Sequence, residues 1–195
     1  MLKIKIEDWY NLHKKHTFEF NEGLTCLVGR NGTGKTTLLK ELKDALKEMQ
    51  IKYFYYSNET SERGAMDKFL HYGDMERLAR NFSSSEGQNI RNNFEDIIPA
   101  IGQYIAKCKK YNRKIAVILL DGLDSGISID YITSIKKELF PLIIEDCKKD
   151  NIEPYIIVSA NNYEFCNGED CIRVSDAKHF KFKDYSEFRR IYINA

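Results

Sequence analysis

Apolar and polar positions alternate over residues 2–7 and again over 17–20, the two-residue period of half-buried strands, with the polar, turn-rich stretch 11–16 between them. Glu22-Gly23 then turns the chain into Leu24–Val28, a short apolar strand that runs straight into a glycine-rich loop. From Thr36 the period changes. Leu38, Leu39, Leu42, Ala45, Leu46 and Met49 recur at helical spacing, with Lys and Glu between them. Ile51–Tyr56 predicts another strand, and residues 58 to about 111 carry several helical patterns without a convincing strand, which predicts a helical lobe. Ile115–Leu120 is a continuous apolar run, as a parallel strand covered on both faces requires. A helix over Tyr131–Lys149 follows, then a second buried strand at Tyr155–Ser159. Cys171–Val174 and His179–Phe182 form a predicted hairpin across Ser175–Lys178, and Tyr185–Ile193 a last helix. Strands alternating with helices predict an α/β fold with a mainly parallel sheet and an N-terminal antiparallel β element. With no repeat, linker or low-complexity segment, residues 1–195 are expected to form one domain with two lobes.

The loop after the third strand carries the most specific chemistry. Gly29-Arg30-Asn31-Gly32-Thr33-Gly34-Lys35-Thr36 fits G-x-x-x-x-G-K-[ST], with a predicted strand before it and a helix after it. Glycines let successive amides turn inward into a nest for phosphate oxygens, and the helix that starts at Lys35 aims its partial positive charge at the same anion. In this pattern Lys35 reaches the β- and γ-phosphates and Thr36 offers its hydroxyl to Mg²⁺, while Arg30, Asn31, Gly32, Thr33, Gly34 and Thr37 complete the predicted nucleotide-binding set. Asp121, at the end of the apolar run Ile115–Leu120, is placed to deliver a carboxylate to the same Mg²⁺.

Charge and cysteine content narrow the class further. Lys and Arg total 30 against 29 Asp and Glu, so no long-range field draws the chain to nucleic acid, and any basic face must be local. Lys107, Lys109, Lys110, Arg113 and Lys114 form one such run, and Lys178, Lys181, Lys183, Arg189 and Arg190 another; both read first as solvated faces. Cys26, Cys108, Cys147, Cys166 and Cys171 are odd in number and lack zinc-ligand spacing, so free thiols in a reducing cytoplasm are expected. The alternating N-terminus is a strand rather than a signal peptide, and no apolar run is long enough to span a bilayer, so no membrane partner is expected.

Taken together, Gly23–Leu39 resembles the opening of ABC-type ATPases of the SMC, Rad50, RecF and OLD group. Ser83-Ser84-Ser85-Glu86-Gly87-Gln88 is similar to the family signature L-S-G-G-Q, with Ser85, Gly87 and Gln88 at its defining places. Leu120-Asp121-Gly122-Leu123-Asp124-Ser125-Gly126 resembles the segment D-E-I-D-S-G of OLD-like members, with Ser125-Gly126 opening the D-loop. The resemblance implies a P-loop NTPase fold of the ABC head type, ATP and Mg²⁺ as cofactors, and a head-to-tail homodimer in which Lys35 of one copy faces Ser85 of the other across ATP. It also implies an armless head, because 58–111 is too short for a long coiled coil, and one without the Toprim nuclease domain of OLD proteins. The expected role is ATP hydrolysis to ADP and phosphate in DNA processing or defence against foreign DNA, with DNA and a nuclease or other effector protein as candidate partners.

Several family positions differ. The general-base glutamate is replaced by Gly122, leaving Asp124, a Glu86 supplied in trans, or the γ-phosphate itself to activate water. The switch histidine after Tyr155–Ser159 is replaced by Ala160-Asn161-Asn162, which makes Asn161 the candidate γ-phosphate contact, by hydrogen bond and without charge. Asn58 or Glu59 is the candidate for the missing Q-loop glutamine, and Trp9 or Tyr10 could stack on adenine or belong to the core. The catalytic set is therefore Asp121, Asp124 and Asn161, turnover is expected to be slow, and Gly122→Glu is expected to raise it. The alternative is a non-hydrolytic ATP sensor regulating an effector enzyme. A P-loop nucleotide kinase is disfavoured, since it calls for an Arg-rich lid and has no signature element.

Overall fold

The computed structural model describes residues 1–8, 11–14, 16–57, 86–124 and 128–194, with backbone alone at 86–96 and 192–194. Strands β1 (Leu2–Lys5) and β2 (Thr17–Phe20) pair antiparallel, Leu2 opposite Phe20, as a small separate sheet. The main sheet contains β3 (Gly23–Val28), β4 (Tyr53–Ser57), β5 (Ile115–Asp121), β6 (Glu153–Ser159), β7 (Asp170–Arg173) and β8 (Lys178–Phe180) in the order β4-β5-β6-β3-β7-β8. All neighbours are parallel except β7 and β8. The helices are α1 (Lys35–Glu48), α2 (Glu86–Lys110), α3 (Ile129–Ser134), α4 (Phe140–Lys149), α5 (Tyr163–Cys166) and α6 (Tyr185–Asn194).

The period of two in the central strands divides the core between the two faces of the sheet. Val117 and Leu119 of β5, Tyr155 and Ile157 of β6 and Leu27 of β3 pack with Leu38, Leu39, Leu42 and Leu46 of α1 and with the small sheet. Ala116, Ile118, Leu120, Ile156, Val158 and Cys26 face the other way, onto α2, α3, α4 and α6. Because both faces are covered, the middles of β5 and β6 have no solvent side, and this is why Ala116–Leu120 and Tyr155–Val158 are uniformly hydrophobic.

Three of the helices end alike. After α1, α2 and α4 the chain passes through a left-handed residue, Gln50 (φ 58°), Asn112 (φ 49°) and Asn151 (φ 55°), and the next amide bonds back to Leu46, Cys108 or Cys147. This six-to-one closure satisfies the last carbonyls and releases the chain directly into β4, β5 or β6. The helix expected over Tyr131–Lys149 begins earlier, at Ile129, capped by Ser128, and is divided by a π-helical turn at Ile135–Leu139. Pro141 lies just beyond that turn and has no N–H to return to the preceding carbonyls. Lys136 in the turn donates to Glu164 O and Asn167 O and pairs with Glu169 at 3.3 Å, so it closes the carbonyl end of α5, a helix not foreseen from sequence.

The predicted hairpin forms about one residue earlier, with β7 at Asp170–Arg173 and β8 at Lys178–Phe180, and Arg173 at the end of β7 pairs with Asp176 in the connection at 2.8 and 2.6 Å. That bidentate contact holds the Asp176 carboxyl below its ordinary value of 3.8. The stabilisation is present above 3.8 and is lost as pH falls through the lowered folded value. Asp176→Asn is therefore expected to lower Tm near neutrality, with the difference from wild type vanishing in acid. Thermal melts of both proteins across that range check it; a gap that persists in acid would contradict the ion-pair account.

Candidate functional site

The glycine loop leaves the C-terminal end of β3, in the middle of the sheet, where the neighbouring strands pin its base. Ala160 N donates to Leu27 O at 3.0 Å and Val174 N to Val28 O at 3.1 Å. A Cβ on Gly29 would lie 2.5 Å from Thr33 Oγ1 and 3.1 Å from Val174 Cγ2, so the position admits no side chain. Thr33 folds back to make that contact, its hydroxyl donating to Arg30 O at 2.8 Å. Gly34 (φ 93°) is the N-cap of α1, and a Cβ there would be strained and would meet Leu12 Cδ1 at 3.0 Å and His13 Cε1 at 3.3 Å. The loop before β2 thus lies directly against the phosphate loop. It is held by Asp8, whose carboxylate accepts from Leu12 N and His13 N, and by His13 Nδ1–H, which donates to Val174 O at 2.8 Å. Gly34 offers no side-chain cap and the first turn of α1 has no acid, so the amides there leave a positive helix end facing the loop.

Lys35 opens the helix. Only 8% exposed, its ammonium donates to Gly29 O at 2.6 Å and Arg30 O at 3.1 Å. Burial lowers its pKa, and the negative charges of Asp124 and Asp121 act in the opposite direction. Asp121 ends β5 and is 4% exposed. The Ser159 hydroxyl, at the end of β6, donates to Asp121 Oδ1 at 2.5 Å and accepts from Gly122 N at 2.9 Å. One serine therefore orients the carboxylate and ties down the backbone after it.

Asp124 joins this strand end to the next one. Its Oδ2 accepts from Asn161 N and from Asn162 N, the latter at 2.7 Å, and its Oδ1 from Asn161 Nδ2 at 3.3 Å. Burial pushes the Asp124 carboxyl up, against the pull of those donors. Two of the residues singled out as catalytic from the sequence, Asp124 and Asn161, are thus bonded to each other, and Asn162 continues as the N-cap of α5. Gly122 adopts φ 70°, a left-handed conformation. A glutamate there would be strained and would not project as a residue in extended strand conformation does, so faster hydrolysis by Gly122→Glu no longer follows.

The other predicted residues are distributed around this floor. Arg30, Asn31 and Gly32 are exposed on the rim, and Thr36 and Thr37 are half-buried in the first turn of α1. Gly87 and Gln88 begin α2 just after Glu86, whereas Ser85, Trp9, Tyr10, Asn58, Glu59 and Ser125-Gly126 lie outside the described residues. In the basic run at the end of α2, Lys109 is bound to Asp146 at 2.7 Å and Asp150 at 2.8 Å, which neutralises part of that face. Sequence reasoning missed Ser159 and His13. Ser159 carries a faint signal, as a polar residue closing a buried apolar run; His13 carries none.

These groups fit a Mg-nucleotide. The glycine nest and Lys35 suit a polyphosphate, and Thr36 and Asp121 are hard oxygen donors of the kind Mg²⁺ shares with phosphates. Among the described residues no group of three or more His, Cys, Asp or Glu could hold a metal by itself. No helix among them is long and apolar enough to cross a membrane. A comparison with curated proteins finds no match. The family model described as an AAA domain, in contrast, matches residues 3–187, and the chain accordingly belongs to this family of P-loop ATPases, with an ATP-binding ATPase fold.

Proposed function

We propose that this protein binds Mg·ATP at the Gly29–Thr37 loop and dimerises head to tail around it, as a nucleotide-controlled clamp with slow hydrolysis. The observation that carries the reading is the buried Lys35 ammonium, held by two loop carbonyls between a glycine nest and two carboxylates. On binding, Lys35 exchanges its bonds with Gly29 O and Arg30 O for phosphate oxygens. The amides of the loop and of the first α1 turn bind the same oxygens, and Thr36 and Asp121 hold the cation. Bound Mg²⁺ supplies charge neutralisation on the phosphates. Ser159 keeps Asp121 in its orientation, and Asp124 positions Asn161 and Asn162 at the edge of the site. The Ser85-Glu86-Gly87-Gln88 element, of which Glu86 to Gln88 begin α2, closes on the nucleotide of the second copy. DNA processing or defence against foreign DNA, with a nuclease or other effector, is the proposed setting.

Light scattering with nucleotide tests the assembly. Mg·ATP is expected to convert monomer to dimer and ADP not to, while Ser85→Arg keeps nucleotide binding and loses the conversion. Turnover is expected below ~1 s⁻¹, the low end for enzymes. A mass that does not respond to Mg·ATP refutes the clamp. One observation favours a second reading, an ATP sensor that does not hydrolyse: Gly122 has no side chain, and both Asp124 oxygens already accept hydrogen bonds. Dimerisation by ATP without phosphate release selects the sensor.

A further inference from the structure

Beneath the nucleotide loop, on the α5 side of the sheet, lie three fully buried sulfurs that the proposed function does not use: Cys26 of β3, Cys166 at the end of α5 and Cys171 of β7. Cys26 and Cys171 are register partners across the two strands, and Cys26 Sγ–H donates to Phe165 O at 3.3 Å. Cys171 Sγ lies 3.7 Å from the carbonyl of Cys166 and 3.7 Å from that of Glu169. Cys166 and Cys171 flank a single short turn, closed by Lys136 through Glu164 O, Asn167 O and Glu169, so little chain has to move to join them. Among the described residues these cysteines do not form a metal cluster.

We infer that Cys166 and Cys171 are an oxidisable dithiol, and that their disulfide weakens nucleotide binding in the loop above. The inference rests on the proposed nucleotide site. The oxidant class is a small peroxide, hydrogen peroxide being the simplest. The Cys171 thiolate attacks one peroxide oxygen, the O–O bond breaks, and hydroxide leaves and takes up a proton as water. The Cys166 sulfur then displaces a second water from the resulting sulfenic acid, so two thiols and one peroxide give one S–S bond and two waters. Cys171 suits the attacking role, since the neighbouring Cys166 and Cys26 thiols, with the charge of Lys136, draw its pKa below the ordinary thiol value. A water-sized oxidant reaches it when the edge of the sheet opens, because among the described residues the strand beside β7 at that edge is the three-residue β8. The link to function is spatial. Cys166 ends a four-residue helix whose N-cap, Asn162, donates its amide to Asp124. Drawing Cys166 onto β7 pulls that helix, and the Asn161–Asn162 amides, away from Asp124.

The test uses the full chain, reduced and then treated with stoichiometric hydrogen peroxide. Intact mass is expected to fall by two hydrogens, with peptide mapping joining Cys166 to Cys171. The Kd for Mg·ATP is expected to rise at least ~10-fold and to recover in dithiothreitol. Cys171→Ser abolishes the mass change and Cys147→Ser does not; if Cys171→Ser fails to fold, the wild-type map decides alone. A bond between any other pair, no bond at all, or a joined protein that binds as tightly as the reduced one overturns the inference. Failure of reduced wild type to bind Mg·ATP would instead sink the nucleotide site, whatever the map shows.

Discussion

Lys35→Ala is expected to lower Mg·ATP affinity by at least ~10²-fold, because it deletes the buried ammonium that meets the phosphates. A hydrogen bond to a charged group contributes about 1.5–3 kcal/mol, so two of them account for that factor. Stability of the free protein should respond in the other direction. Burial lowers the Lys35 pKa, so the folded state holds this charge at a cost. Alanine removes the cost along with two hydrogen bonds to loop carbonyls, and the unliganded Tm should stay the same or rise slightly. The variant should then show no thermal shift with Mg·ATP while melting cooperatively without it. Lys35→Arg is expected to behave like alanine toward the ligand, since the wide planar guanidinium does not fit where the ammonium reaches Gly29 O at 2.6 Å. Calorimetric titration of both variants checks this; wild-type affinity in Lys35→Ala would remove the P-loop assignment.

The second large effect concerns Asp124. Asp124→Ala leaves the amides of Asn161 and Asn162 without their acceptor, at about 1–3 kcal/mol each when buried. The variant should therefore lose about 2–6 kcal/mol and melt roughly 4–24 °C lower, given about 2–4 °C per kcal/mol at this size. Asp124→Asn separates packing from charge. The Asp124 carboxyl is raised in the fold by burial above its ordinary 3.8, so the folded state holds this proton more tightly than the unfolded chain. Stability from that source is present below 3.8 and is lost as pH rises through the folded value. Wild type should accordingly lose ground to Asp124→Asn as pH is raised over that window, read as the difference between their Tm values. A difference that does not change with pH would mean that the carboxylate is not desolvated. If Asp124→Asn also keeps the wild-type rate of ATP turnover, Asp124 is a positioning residue rather than the base.

Much of this was legible in one dimension, and the reason is periodicity and spacing. Leu38, Leu39, Leu42 and Leu46 announce a helix with one buried face, and Ile115–Leu120 a strand buried on both, because side-chain direction follows backbone geometry locally. The phosphate loop is legible for the same reason. Its glycines, its lysine and the helix behind it act over eight consecutive residues, and Gly29 and Gly34 show the crowding that demands glycine. What the tertiary structure alone decided are the meetings between distant segments. Ser159 on Asp121, Asn161 and Asn162 on Asp124, His13 against Gly34, and Cys166 beside Cys171 beneath the loop depend on strand order β5-β6-β3-β7. Hydrogen bonds and desolvation act over a few ångströms in space, whatever the separation along the chain. Gly122 shows the divide most clearly. The sequence determined that a glutamate is missing there, while only the backbone, turned to φ 70° with its amide held on Ser159, decided that restoring the side chain would not restore its direction.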